Sequence, residues 1–339
     1  MKAFRLGIVL LITLISVVVA FSGVELHQIL PTMQEAHWMF FAGVFAGYFV
    51  THCIRTLRLW LLLGYKGTFS SMFSINTIGF LAINVIPLRM GEFVRPYLLV
   101  EKEQIPFSDA AVAIVLERWL DMCMLLIMLM GLGFFVEIPS AGIQIKGIDL
   151  VSTGQRTLGV MVTLGMIGGG LLMWLGEKVL TPFSKHSTPL IAKIAAFILS
   201  LRQASLRLFT NPVLTLQAVG LSMAVWGGTM MAIWSALWAF DDLPHQFGVV
   251  WTVWTVTLVG MIVAPTPGFI GVYELFCSTA LWLFGVDKTA GTTFALVLHS
   301  SQLIFTLVIG GIFLLKEGFN LRHLVQKSQE NQANTPESS

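Results

Sequence analysis

The strongest constraint on this chain is a series of ten apolar runs, at residues 4–21, 38–63, 69–86, 93–100, 107–136, 157–175, 213–240, 247–264, 269–284 and 292–315. A helix needs roughly 17–25 mostly apolar residues to cross a bilayer, and most of these runs are that long. Lipid offers no partners for backbone N–H and C=O groups, so spanning segments of this kind fold as helices. The fold class expected is all-α, a polytopic helical membrane protein. Only 11% of the 339 residues are charged, against roughly one quarter in a soluble domain. One transmembrane domain is therefore expected over residues 1–316, with a cytoplasmic disordered tail at 317–339.

Two pairs of runs do not look like ordinary spans. The run at 69–86 stops at Pro87, and the following run at 93–100 is too short to cross. The run at 247–264 stops at Pro265, within "PTPG", before the next begins at Phe269. Proline removes a backbone donor and breaks a helix, so each pair reads as a re-entrant or broken-helix hairpin. Under that reading, the cytoplasmic side receives 14 Lys and Arg residues, and the outside receives only Lys146, Arg156 and Lys288. Six crossings with both termini cytoplasmic fit this bias; eight or ten spans follow if the hairpins cross fully. The first hairpin then enters from the cytoplasm and the second from outside, as in an inverted repeat with its site near the midplane.

Other segments are simpler to place. "MKAFRLGIVLLITLISVVVAFSG" has the basic start of a signal peptide, but its apolar run suits a retained helix. Residues 180–210 carry Lys193, Arg202 and Arg207 beside an apolar face, as an amphipathic helix on the cytoplasmic leaflet would. Cys53, Cys123 and Cys277 are isolated in apolar surroundings and read as packing residues. No His/Cys ligand spacing, nucleotide loop or basic nucleic-acid stripe is present. Neither metal, cofactor nor nucleic-acid partner is expected.

The charges inside apolar sequence point to a site. "NVIPLRMGEFVRPYLL" places Arg89, Glu92 and Arg95 around Pro87 and Gly91. Glu92 and Arg95 are three apart and can pair on a helix face. The free N–H groups of the second half-helix, beside two guanidiniums, make an anion site; the alternative is that the arginines snorkel to headgroups. "VLERWLDMCMLL" puts Glu117, Arg118 and Asp121 on one helix face, below the surface and within reach of the first hairpin, with a purely structural ion-pair network as the alternative. "VAPTPGFIGVYELF" sets Pro265, Pro267, Gly268 and Gly271 before Glu274. An intramembrane acid must be paired, protonated or wetted, and an arginine of the first hairpin is the expected partner; the alternative is a simple proline kink with Glu274 near the outer interface. His52, Arg55 and Arg58 read as a marker of the cytoplasmic interface, with a lipid-headgroup contact as the alternative, and Trp251 and Trp254 as an outer aromatic belt. His299 and Gln302 suit an interhelical hydrogen bond rather than a proton relay.

These three stretches together resemble the flippase-like integral membrane family, which includes the membrane region of lysylphosphatidylglycerol synthases and stand-alone relatives. The resemblance covers about residues 4–315 and falls on Pro87, Gly91, Glu92 and Arg95, then Glu117, Arg118 and Asp121, and finally Pro267, Gly268, Gly271 and Glu274. The family often has two glycines after the last proline, whereas here Phe269 follows Gly268. The resemblance implies translocation of an amphipathic lipid, or of a lipid-linked intermediate, between leaflets. The expected protein is thus a lipid flippase or transporter of a prokaryotic cytoplasmic (inner) membrane, and not an enzyme. A lipid-modifying transferase or phosphatase, or a scaffold of a lipid or glycan pathway, is the alternative. Association as a homo-oligomer or with pathway enzymes is left open.

Overall fold

The computed structural model describes residues 2–86, 91–135, 189–264 and 266–318, with short pieces between 144 and 170. Much of the apolar run at 157–175, the start of the amphipathic segment and nearly all of the tail lie outside the described residues, as do Pro87, Arg89 and Pro265.

The helices follow the apolar runs closely. They are α1 (Lys2–Phe21), α2 (Leu26–Glu35), α3 (Phe40–Leu62), α4 (Phe69–Val85), α5 (Val94–Glu103) and α6 (Phe107–Phe135). After a two-residue antiparallel pairing, Gln144–Ile145 with Ile148–Asp149, come α7 (Pro189–Thr210), α8 (Pro212–Leu237), α9 (Phe247–Val263), α10 (Val272–Trp282) and α11 (Lys288–Lys316). Several starts are capped by side chains, as sequence chemistry directs. Thr68 accepts from Ser71 N, Asn211 from Leu214 N ahead of Pro212, and Asp287 from Thr289 N and Ala290 N. α2 was not foreseen: Gly23 turns the chain with a φ of 73°, and α2 leaves α1 at 74°.

α3, α8 and α11 are each long and apolar enough to cross a membrane, and α1 with α2 forms a bent pair that passes the same test. Large apolar side chains point outward along them, including Leu14 and Val18 on α1, Met231 on α8 and Val308 on α11. An exposed apolar surface of this extent suits lipid. Inside, small residues let helices approach. A Cβ on Gly43 would stand 2.3 Å from Ser235 Oγ, one on Gly47 3.0 Å from Ala232 Cβ, and one on Gly228 2.6 Å from Thr51 Oγ1. Gly43, Gly47 and Thr51 recur every four residues, so one small stripe of α3 receives α8.

The two interrupted pairs fold back as hairpins, α4 on α5 and α9 on α10. The first begins and ends at one end of the bundle. There Lys66 pairs with Asp109 at 3.1 Å, and Gly67 lies beside the Glu103 carboxylate. The last turn of α11 reaches that end too, where Glu317 meets Ser74 and Lys102. The second hairpin opens at the other end, where His37 N donates to Ala239 O, Glu25 N to Thr289 Oγ1, and Phe240 contacts Phe294. The two hairpins thus open at opposite ends of the bundle. Their broken tips meet, because a Cβ on Gly268 would lie 3.5 Å from Asn84 O.

α7 covers the described part of the segment expected to be amphipathic. Its Ser205 and Leu208 are buried where it packs on α6 and α8, and its Phe209 ring meets Trp119 edge-on. Trp251 and Trp254 correct the aromatic-belt expectation. Trp251 donates its indole N–H to Met128 O at 2.8 Å, and Trp254 meets Trp226 in the interior, because α9 is covered by α6 and α8.

Candidate functional site

α4 ends at Val85, and the chain returns as α5 packed directly onto it. Gly91 permits this crossing, since a Cβ there would stand 2.2 Å from the Ala82 carbonyl carbon. Gly79, two turns back along α4, leaves room for the Arg95 side chain. Arg95 is thereby drawn inward until only 2% of it is exposed.

It does not pair with Glu92, as its spacing suggested. Arg95 Nη2 donates to Glu117 Oε2 on α6 at 2.7 Å, both side chains being almost fully buried. Glu92 stays half-buried, with no ion pair among the described residues. The reason is geometric: α5 packs against α6, and Arg95 turns toward that contact while Glu92 remains at the break. The predicted meeting of the Glu117 cluster with the first hairpin is therefore present, through a different acid.

α3 supplies the part that sequence reasoning missed. Arg58, read as an interface marker, is 3% exposed. Its Nη1 donates to Asp121 Oδ1 at 2.8 Å and to Ser222 Oγ at 3.1 Å, and its Nε lies 3.6 Å from Glu117 Oε1. Trp226 Nε1 also donates to Asp121 Oδ1, at 3.4 Å. Arg118 completes the foreseen i, i+3 contact with Asp121 at 3.6 Å and is 38% exposed. Arg55, one turn from Arg58, lies in the field of Asp121, Glu117, Arg58 and Arg118. Its guanidinium carbon stands 4.8 Å from the Phe80 ring centre, and that of Arg95 lies 5.6 Å from the same ring. The available signal was the spacing His52, Arg55, Arg58: three polar residues at i, i+3 and i+6 trace one helix face rather than a helix end.

Four guanidiniums thus gather around two carboxylates, Glu117 and Asp121. Each charge at a bilayer centre costs about 2.5–3.5 kcal/mol on insertion scales, so pairing explains four of the six. It leaves an excess of positive charge, which favours an anion.

The second break forms a separate centre. Gly268 and Gly271 take φ of 57° and 80°, and Phe269 takes 59° without glycine's freedom. Thr266 Oγ1 donates to Ile270 O at 2.9 Å and closes the loop. Glu274 Oε2 accepts from Gly271 N at 2.7 Å, capping α10. Its other oxygen lies 2.6 Å from His299 Nδ1 on α11, with the Tyr273 ring stacked on the imidazole at 4.3 Å. The expected arginine partner is corrected to histidine. The packing of α10 on α11 brings Glu274 to His299, and Glu274 makes no ion pair with an arginine among the described residues. The interhelical hydrogen bond expected of His299 is present, and Glu274 is its partner. Among the described residues, no group of His, Cys, Asp and Glu is arranged to hold a metal ion.

Membrane-length helices with lipid-facing apolar sides, two broken hairpins entering from opposite ends, and charges buried beside one break define an integral membrane protein of the broken-helix type. The chain belongs to the family described as the lysylphosphatidylglycerol synthase TM region, whose model matches residues 5–310. It is also similar to Glycosyltransferase AglD of Haloferax volcanii, 22% identical over 350 residues that cover 95% of this chain and 56% of that protein. The chain therefore spans little more than half the length of this relative. No solved structure matches.

Proposed function

We propose that the protein is a lipid flippase or transporter, moving an anionic or lipid-linked amphipathic molecule between the leaflets of its membrane. The observation that carries this reading is the cluster of Arg55, buried Arg58 and Arg95, and partly exposed Arg118 around Glu117 and Asp121 beside the first helix break. An excess of guanidinium below the membrane surface suits a phosphate-bearing headgroup, while the acyl or prenyl chains stay in lipid. Arg58 and Arg95, held by the acids, position the cluster. Arg89 and Glu92 at the break, and Glu274 at the second break, complete the set of residues proposed to line the path. Membership of the family supports a lipid cargo, and the name of the glycosyltransferase relative supports a lipid-linked sugar among the candidates.

Proteoliposomes containing the purified chain, loaded with fluorescent phosphatidylglycerol and then a labelled prenyl phosphate, test the proposal by the fraction of label reaching the other leaflet. Protein-dependent movement that falls strongly in Arg118→Gln, with unchanged melting temperature, is the expected result. Chemically altered lipid would point to a lipid-modifying enzyme instead. Absence of movement across both cargoes, with the protein folded, would favour a scaffold.

A further inference from the structure

The six charges of the cluster are not equally engaged. Arg95 and Arg58 take the short contacts to the two acids, at 2.7 and 2.8 Å. Arg118 reaches Asp121 only at 3.6 Å and is partly exposed, and Arg55 has no ion pair among the described residues. The Nε atoms of all four arginines are buried without a hydrogen-bond acceptor, but Arg58 and Arg95 each give Nη donors to an acid, whereas Arg55 and Arg118 make no side-chain hydrogen bond among the described residues. Phe80 supports the Arg55 guanidinium through its ring face, an interaction that uses none of the N–H donors. Two guanidiniums thus keep both their charge and their donors. Across the break itself, Arg89 and Glu92 carry one charge of each sign, so they do not alter the formal surplus of two.

We propose that Arg55 and Arg118 form the ligand-reading edge of the cluster and select a dianionic phosphate, a phosphomonoester or diphosphate headgroup, over a singly charged phosphodiester. The inference rests on reading the cluster as the headgroup site and adds its charge specificity. A surplus of two is neutralised by a dianion and only half neutralised by a diester, and the unused planar donors match a terminal phosphate's three oxygens. Arg58 and Arg95 are positioning residues, because each already commits an Nη donor to an acid, Arg58 to Asp121 and Arg95 to Glu117.

The full chain in nanodiscs of neutral lipid is titrated with short-chain phosphatidic acid, a monoester, and short-chain phosphatidylglycerol, a diester, at about pH 8, above the second phosphate ionisation near 6. The expected result is tighter binding of the monoester by about tenfold or more, the scale of a charged hydrogen bond. Arg55→Gln and Arg118→Gln should each remove most of that preference, whereas Arg55→Lys should retain part of it. Equal binding of the two lipids by the native chain overturns the proposal, as does a preference that survives both glutamine variants. Should Arg55→Gln fail to fold, the half-exposed Arg118→Gln decides. Inorganic phosphate and pyrophosphate separate the sources. If they bind as tightly as the lipid, dianion selection stands and the lipid-cargo reading falls. If phosphatidylglycerol crosses proteoliposomes as fast as phosphatidic acid, transport stands and dianion selection falls.

Discussion

Removing the Arg95 guanidinium would leave Glu117 with Arg58 Nε at 3.6 Å as its remaining ionic contact, in a site where the carboxylate is about as buried as a leucine core. Breaking a buried pair by deleting one partner costs about 3–5 kcal/mol, because the other charge stays desolvated. Arg95→Ala should therefore lower stability by that order, read as a melting shift of the detergent-solubilised chain. Arg95→Met with Glu117→Leu should recover a large part of it. A single variant as stable as the native protein would show that Arg95 is not the anchor described. This also sets what sequence could tell. The burial of Arg95, Glu117 and Asp121 was readable from their apolar surroundings, but partner choice was not. Glu92 is three residues from Arg95 and Glu117 is twenty-two, and only the packing of α5 on α6 decides between them. Arg58 escaped for a related reason: four residues before a helix end looks like an interface, until α6 and α8 are seen to close over it.

Helix limits were more accessible, since they depend on local chemistry: α4 and α9 begin at the predicted residues and end one residue short. Which glycine matters was not accessible. Gly310 and Gly311 are adjacent on α11, yet a Cβ on Gly310 would stand 2.7 Å from Leu81 Cβ and 3.0 Å from Thr77 O, while one on Gly311 meets nothing within 4 Å. Gly310→Ala should push α11 off α4 and cost about 1–3 kcal/mol. Gly311→Ala should be neutral or stabilise by up to about 1 kcal/mol through helix propensity. Equal melting temperatures for the two variants would contradict the α4–α11 contact. At the end of the same helix, Glu317 accepts from Ser74 at 2.7 Å and pairs with Lys102, tying α11 to both arms of the first hairpin. Partial burial opposes its ionisation, but the hydrogen bonds from Lys102 and Ser74 prevail and hold its carboxyl below the usual range. The sign follows: a depressed value stabilises the fold above the ordinary glutamate value near 4.3, and this is lost as pH falls through the lowered one. Glu317→Gln should thus melt below the native protein at pH 7, by about 1 kcal/mol or less for a partly exposed pair. The two melting curves should converge as pH falls through the lowered carboxyl value; a constant gap would assign the effect to shape rather than charge.

For the molecule as a whole, the breaks at Pro87 and in "PTPG" carried the most information, because each marks where a run too short to cross folds back. They anticipated two hairpins, and the charge count placed their open ends on opposite sides. The structure realises this by gathering Lys66, Asp109, Lys102 and Glu317 at one end, and Lys288, Thr289 and Glu25 at the other. Lys288 also donates to the Val19 carbonyl, and a Cβ on Gly271 would stand 2.7 Å from Val17 N, so α1 packs against the start of α10 and of α11. An arrangement in which two broken tips touch mid-bundle has a consequence for solvent access. Each tip should open toward the side from which its hairpin enters, with the Asn84–Gly268 contact between them as the barrier. Single cysteines at Leu88 and Ile270, in a chain with Cys53, Cys123 and Cys277 replaced by serine or alanine, can report it in sealed vesicles of known orientation. A membrane-impermeant maleimide should label Leu88→Cys from the face that carries Lys66 and Lys102, and Ile270→Cys from the face that carries Lys288. Gln104→Cys, in the loop after α5, should label from the same face as Tyr65→Cys if the first hairpin is re-entrant. Labelling of Gln104→Cys and Tyr65→Cys from opposite faces would mean that the first pair crosses. Labelling of both tips from one face would remove the alternating-access geometry on which transport between leaflets is proposed to run.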